Sequence, residues 1–135
     1  MEYQITAKSI SGKEGAIFVK QSTIDFGTIQ ETEGNLPNPA ELFLGAFASC
    51  ILKNVERFSE LMKFKYSKAM LTVDAVRLDS PPRMEHLSYE LILYGTDDKL
   101  NIDLLKKNIE KFGTIYTTVK QCCSITGKIT KQTNV

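Results

Sequence analysis

A single segment, residues 38–63, places the strongest constraint on the fold. Asn38 precedes Pro39, and Glu41 follows three residues after the asparagine. An asparagine side chain accepts hydrogen bonds from the free amides of a first helical turn, a proline there has no amide to leave unpaired, and the glutamate completes a capping box. This predicts a helix from Pro39 to about Lys63. Apolar residues follow the helical period along it and predict a buried face: Leu44, Ala48, Ile51, Val55, Phe58 and Met62.

Alternating apolar and polar residues predict short strands before this helix. Two runs, 3–8 and 16–19, lie on either side of a glycine-containing break and predict a hairpin. A third strand is predicted over 23–29, and residues 31–39 have the glycine, asparagine and prolines typical of a loop.

Further elements are predicted after the helix. Strands over 69–78 and 84–94 are separated by a turn with two adjacent prolines and are expected to pair. Asn101 is a predicted cap for a second amphipathic helix that ends near Gly113. Residues 125–131 are predicted to form a closing strand.

The composition excludes several classes of protein. At 135 residues and 42% apolar content, the chain is predicted to form one folded domain, residues 1–135. Its 17 basic and 16 acidic residues give a net charge of +1, which provides no long-range attraction for nucleic acid or anionic lipid. No apolar run reaches the roughly 20 residues of a membrane span, and the N-terminus has no secretion signal. We therefore expect a cytoplasmic protein without nucleic-acid or membrane partners.

Sulfur is the remaining source of chemistry. The chain has three cysteines and a single histidine, His86. It therefore lacks the residues from which zinc sites and histidine-based catalytic triads are built, and no metal or cofactor is predicted. Cys50 lies in the third turn of the predicted helix, and Lys53, one turn later, is a candidate for stabilising its thiolate. A cysteine that only fills space in the helix interior is the alternative, and both interpretations stay open.

The adjacent cysteines Cys122 and Cys123 also have two interpretations. Neighbouring cysteines rarely bridge each other, because a disulfide needs a specific dihedral angle, so a bridge, if one forms, links one of them to Cys50. Packing is the alternative, and the separation along the sequence does not decide between the two.

Two segments resemble motifs of the OsmC/Ohr family, the osmotically induced and organic-hydroperoxide-resistance proteins. Residues 38–50 (NPAELFLGAFASC) look like the cysteine-helix motif of that family. Residues 123–126 (CSIT) are similar to its second motif, a cysteine followed by two residues and Ser or Thr. The order of the predicted elements matches as well, so the resemblance covers essentially the whole chain.

The resemblance implies an α+β fold with antiparallel sheets and a long central cysteine-bearing helix, assembled as an intertwined homodimer. It implies an antioxidant, stress-response thiol peroxidase in which Cys50 attacks an organic hydroperoxide and becomes a sulfenic acid, and Cys123 closes a disulfide with it. An external dithiol, such as a lipoylated protein, then reduces the disulfide. Phe43, Leu44 and Phe47 would wall the substrate pocket, and plain core packing is the alternative for each of them.

Two positions depart from the family pattern. Peroxidase members use an arginine in the N-terminal hairpin, where this chain has Lys13, and a glutamate directly after the motif proline, where it has Ala40. Lysine lacks the bidentate fork of arginine, and Glu41, one residue later, is turned by about 100° around the helix. Lys13 and Glu41 are therefore the candidates for holding the thiolate, with helix capping as the alternative role of Glu41. The same departures favour a second hypothesis, a non-catalytic or redox-sensing member that binds a small apolar ligand at the dimer interface.

Overall fold

The longest helix, α1, spans Pro39–Leu61 and begins where the capping motif predicts. In the computed structural model, which describes residues 1–132, the amide of Glu41 donates to Asn38 Oδ1 at 2.8 Å. The amide of Asn38 donates in return to Glu41 Oε1 at 3.0 Å. These two hydrogen bonds are the predicted capping box, and the helix ends two residues earlier than predicted.

Residues 1–43 form one compact unit with a three-stranded antiparallel sheet. Its strands are β1 (Thr6–Ser9), β2 (Gly15–Val19) and β3 (Ser22–Phe26), with β2 in the centre. A single 3-10 turn, Gln30–Thr32, interrupts the loop that leads to α1. The predicted hairpin and third strand are confirmed, with boundaries that differ by a few residues.

The second compact unit begins at Leu44 and contains a sheet of three longer strands. Strand β4 (Lys68–Asp79) pairs antiparallel with the central strand β5 (Pro82–Tyr94), as predicted. From Leu87 onward every second side chain of β5 is buried, as the alternation of its sequence predicts: Leu87, Tyr89, Leu91 and Leu93.

The closing strand, β6 (Ile125–Gln132), pairs with β5 in parallel, with Leu87 opposite Ile125 and Tyr94 opposite Gln132. This sheet is therefore mixed, whereas the family resemblance implied antiparallel sheets. The physical reason is the connection between the two strands. A helical crossover returns the chain to the end of the sheet at which β5 begins, so β6 runs in the same direction as β5.

Two helices form that crossover. Helix α2 (Ile102–Phe112) begins with Asn101, whose side-chain oxygen accepts a hydrogen bond from the amide of Leu104 at 3.1 Å, which confirms the predicted cap. Its last turn closes when the amide of Gly113 donates to the carbonyl of Ile109 at 3.1 Å. Helix α3 (Thr114–Lys120) follows directly, in a segment that the sequence left unassigned.

The core of the second unit lies between the buried faces of the helices and the sheet. From the helices it contains fully buried Phe47, Ile51, Val55, Leu105 and Ile109. The predicted α+β fold class is confirmed, while the single-domain organisation and the homodimer stay predictions.

Within residues 1–132, the helices are all too short or too polar to cross a lipid bilayer.

Candidate functional site

The thiol of Cys50 lies on the part of α1 that belongs to the second unit, and the residue is half-buried. A polar side chain beside it is that of Asn54, which is only 8% exposed. Asn54 Nδ2 donates to the backbone carbonyl of Cys50 at 2.9 Å and lies 3.8 Å from its sulfur. The side-chain amide of Asn54 therefore contacts both the carbonyl and the thiol of Cys50. It is a neutral hydrogen-bond donor placed beside the sulfur.

The sulfur of Cys50 faces the junction between α2 and α3. A Cβ atom built on Gly113 would lie 3.1 Å from Cys50 Sγ. The same atom would lie 3.0 Å from the carbonyl oxygen of Ile109 and from the Cβ of Tyr116. Gly113 has an ordinary extended backbone with φ −79°, so the close approach of these three residues, and not backbone strain, is what favours glycine there.

An aromatic cluster formed by Phe47, Tyr89 and Tyr116 includes the residue one turn before Cys50 on α1. Phe47 is fully buried, and its ring centroid lies 5.6 Å from that of Tyr116 and 6.3 Å from that of Tyr89. The ring of Tyr89 in turn covers Gly127, its partner on β6, where an added Cβ would lie 2.6 Å from Tyr89 Oη. These contacts give Phe47 a place in the core, while its role as a wall of a substrate pocket stays a prediction.

The polar ends of the two tyrosines meet a carboxylate. Tyr89 Oη donates to Glu110 Oε2 at 2.8 Å, and Lys106 Nζ donates to the same oxygen at 2.7 Å. Burial, followed by the hydrogen bond and charge of Glu110, raises the pKa of Tyr89 well above its ordinary value, and burial with the charge of Glu110 raises the pKa of Tyr116. Burial also acts to raise the pKa of Glu110, but the hydrogen bonds from Lys106 and Tyr89 outweigh it and leave that pKa lowered. The tyrosines are thus neutral donors to an ionised carboxylate at neutral pH.

Cys122 and Cys123 lie in the turn after α3. Their sulfurs are 3.7 Å apart, and the Cys123 thiol donates to the carbonyl of Met84 on β5 at 3.4 Å. Burial raises the pKa of the Cys123 thiol to about 11, with further contributions from Cys122 and from the charge of Glu85. Cys123 is therefore protonated at neutral pH. Cys123 is buried, whereas Cys122 is exposed.

The turn that holds Cys123 is fixed to β5 by a second set of contacts. Glu85 Oε1 accepts hydrogen bonds from the amide of Ser124 at 2.6 Å and from the amide of His86 at 3.1 Å. These two bonds, that of Ser124 first, lower the pKa of Glu85. The carboxylate therefore stays ionised and holds the turn against the strand.

The predicted site residues are divided between the two units. Lys13, in the turn between β1 and β2, belongs to the first unit together with Glu41 and Phe43. Leu44, Phe47, Cys50 and Cys123 belong to the second.

Within the second unit, Cys50 and Cys123 have different neighbours. Cys50 Sγ lies beside Asn54 and Gly113, and Cys123 Sγ lies beside Met84 and Cys122. Over the part of the chain that the structure describes, all three cysteines are free thiols. Lys53 is exposed on α1, and its role in stabilising the thiolate stays a prediction.

Two neighbours of the sulfur were missed by sequence reasoning as functional residues. Asn54 follows Cys50 by four residues, and that helical spacing was the available signal. The sequence predicted Gly113 only as the residue at which the second helix ends. Its approach to Cys50 was not predictable, because the two positions are far apart in the chain.

For metal ions, residues 1–132 contain no cluster of three or more His, Cys, Asp or Glu side chains placed to hold one.

Comparisons with known proteins agree with this fold. A family model described as OsmC-like protein matches residues 32–128. Among solved structures, an OsmC-like protein from Mycoplasma pneumoniae superposes with a TM-score of 0.85 at 15% identity, and each chain is covered to 97%. The organic hydroperoxide resistance protein OsmC from Legionella pneumophila superposes with a TM-score of 0.68 at 17% identity, covering 95% of this chain and 97% of that one. The organic hydroperoxide resistance protein OhrB from Bacillus subtilis superposes with a TM-score of 0.62 at 14% identity, covering 96% and 98%. No curated protein sequence matches the chain significantly.

Proposed function

This chain belongs to the OsmC-like protein family, and from that premise we propose that it is a thiol-dependent peroxidase that reduces organic hydroperoxides through Cys50. The observation that supports this most directly is the placement of Cys50: a half-buried thiol in the family motif, with one neutral amide beside it and aromatic side chains one turn away. Two of the structural relatives are named for resistance to organic hydroperoxides, which favours this class of substrate.

The proposed reaction begins with the Cys50 thiolate. It attacks the distal oxygen of the hydroperoxide, the O–O bond breaks, and the alkoxide leaves with a proton as an alcohol, so that Cys50 becomes a sulfenic acid. The Asn54 amide is placed to donate to the sulfur in its thiolate form, before the attack. The apolar surroundings on α1, including the half-buried Leu44, favour an alkyl hydroperoxide over hydrogen peroxide.

Reduction of the sulfenic acid is the second step. By family resemblance, Cys123 closes a disulfide with Cys50, and an external dithiol, for which a lipoylated protein is a candidate, reduces it. In the reduced protein, however, the Cys123 thiol is hydrogen-bonded to Met84 and its pKa is raised. A Cys50–Cys123 disulfide therefore requires the Cys123 thiol to give up this hydrogen bond.

The test compares wild type with Cys50→Ser, and uses Ser49→Ala as the matched control on the neighbouring, exposed position of α1. Consumption of cumene hydroperoxide is followed with dithiothreitol or a dihydrolipoyl domain as the reductant. We expect turnover in wild type and in the control, and none in Cys50→Ser. Turnover that survives in Cys50→Ser would refute the proposal.

Two further measurements separate the alternatives. Intact-mass analysis of wild type, Cys122→Ser and Cys123→Ser after oxidation identifies any cysteine that bridges Cys50. If Cys50 remains unoxidised and an apolar molecule copurifies with the protein, the ligand-binding hypothesis replaces the peroxidase.

A further inference from the structure

We propose that the adjacent thiols of Cys122 and Cys123 form a binding site for a monosubstituted trivalent arsenical, a compound R–As(OH)2 whose single arsenic atom takes both sulfurs. The two residues lie in the turn between α3 and β6. The site is independent of the proposed peroxidase reaction, because binding consumes no hydroperoxide.

The distance between the two sulfurs matches that of two ligands on one atom. Cys122 Sγ and Cys123 Sγ lie 3.7 Å apart. An atom bonded to two sulfurs at about 2.3 Å, the length of a zinc–sulfur bond and close to that of an arsenic–sulfur bond, holds them about 3.3–3.8 Å apart when the bond angle is about 90–110°. A disulfide would require about 2.04 Å and a dihedral angle that adjacent cysteines rarely reach. The pair is therefore spaced for a bridging atom and not for a bond of its own.

Hydrogen bonds hold the backbone on both sides of the pair. The amides of Cys122 and Cys123 both donate to Val119 O, at 3.0 and 2.9 Å. The amide of Ser124 donates to Glu85 Oε1 at 2.6 Å. The two thiols donate only to carbonyl oxygens, at 3.3 and 3.4 Å, and such S–H···O bonds are weak. Arsenic can therefore replace the two thiol hydrogens while the backbone of the turn keeps its hydrogen bonds.

Access to the pair is from the side of Cys122. This residue is exposed, as are Gln121 and Ser124 on either side of the pair, whereas Cys123 is only 8% exposed. An arsenical therefore meets the Cys122 sulfur first, and the bond to it brings the arsenic within reach of the second sulfur. The second As–S bond then forms within one molecule, at a high effective concentration of the Cys123 thiol.

The protonation of Cys123 favours an arsenical over a metal cation. Burial raises the pKa of this thiol to about 11, so a divalent cation would have to displace a firmly held proton at neutral pH. Each hydroxide on arsenic instead takes up the proton of the thiol that replaces it. Two As–O bonds break, two As–S bonds form and two molecules of water leave, and neither arsenic nor sulfur is oxidised or reduced. Within residues 1–132 no cluster of three His, Cys, Asp or Glu side chains is placed to hold a metal, and R–As(OH)2 needs only two ligands.

The first experiment uses the reduced wild-type protein and phenylarsine oxide, which hydrates to a compound of this class. After incubation with one equivalent, the chain is unfolded in urea, alkylated with N-ethylmaleimide and digested with trypsin. We expect peptide 121–128, which contains Cys122 and Cys123, to be protected from alkylation, and peptide 21–53, which contains Cys50, to be alkylated. Alkylation of peptide 121–128 to the level found without the arsenical would overturn the proposal.

The second experiment measures the affinity of the folded protein for phenylarsine oxide by isothermal titration calorimetry. Cys122→Ser removes the accessible thiol. Because two linked groups commonly hold a ligand roughly 10²–10⁴ times more tightly than one, its dissociation constant should rise at least about a hundredfold. Cys50→Ser is the matched control and should bind as tightly as wild type.

Equal affinity in wild type and Cys122→Ser, or a comparable loss in Cys50→Ser, would overturn the proposal. Cys122 is exposed, so its replacement by serine is expected to leave the fold intact, and circular dichroism checks this. If the variant is unfolded, the alkylation pattern of the wild-type protein decides.

Discussion

Replacing Gly127 with alanine tests the packing that places the aromatic group near Cys50. The ring of Tyr89 lies over Gly127 on the neighbouring strand, and the added Cβ would lie 2.6 Å from Tyr89 Oη and closer still to two ring carbons. An ordinary contact needs about 3.5 Å, so the ring has to move by roughly 1 Å or more.

The ring is not free to make that movement. Tyr89 is 3% exposed, packs against Phe47 and donates to Glu110 at 2.8 Å. Overpacking in a core costs about 1–3 kcal/mol, and weakening a hydrogen bond to a charged group costs up to about 1.5–3 kcal/mol. We therefore expect Gly127→Ala to lower the free energy of unfolding by about 2–4 kcal/mol.

Urea unfolding followed by circular dichroism measures the effect, with Gly34→Ala as the matched control. A Cβ at Gly34 meets no atom within 4 Å, so this variant should stay within about 0.5 kcal/mol of wild type. In a Tyr89→Leu background the ring is absent, and the further cost of Gly127→Ala should fall below about 1 kcal/mol. A neutral Gly127→Ala variant, or a penalty that persists unchanged without the tyrosine, would refute the reasoning.

Three other outcomes follow from local contacts. Asn38→Ala removes one half of the capping box and should lower the free energy of unfolding by about 1 kcal/mol in the same assay, and unchanged stability would contradict this role of the cap. The pKa of Tyr66 is raised to about 12 by burial and by its hydrogen bond to Glu56, so between pH 10 and 12 the unfolded chain loses this proton before the folded one and stability should fall with rising pH. Tyr66→Phe should make this fall shallower without removing it, because the pKa values of Tyr89 and Tyr116 are raised as well, and urea midpoints across this range measure the change. At pH 8.5 iodoacetamide should alkylate the exposed Cys122 faster than Cys123, whose pKa is raised to about 11, and equal rates measured by peptide mass would contradict the burial of Cys123.

Features that depend on neighbouring residues were predictable from the sequence. The start of α1 depends on Asn38 and Glu41, three residues apart, and the cap of α2 depends on Asn101 and Leu104, again three apart. The buried face of β5 follows from strict alternation along one strand. In each case the hydrogen bonds or the side-chain period act over a few residues, so the pattern in the sequence carries the information.

Features that join distant parts of the chain were decided by the tertiary structure. Whether β6 runs parallel or antiparallel to β5 depends on the path of the crossover, which no pattern within β6 records. The cysteine motif identified Cys50 as the thiol to consider, but its neighbour Gly113 comes 63 residues later and became visible only when α1 packed against the junction of α2 and α3. The sequence alone thus determined most of the elements, though not α3, together with the two helix caps and the thiol to consider. Packing determined what faces that thiol, because contacts between elements depend on how the whole chain folds and not on the local order of residues.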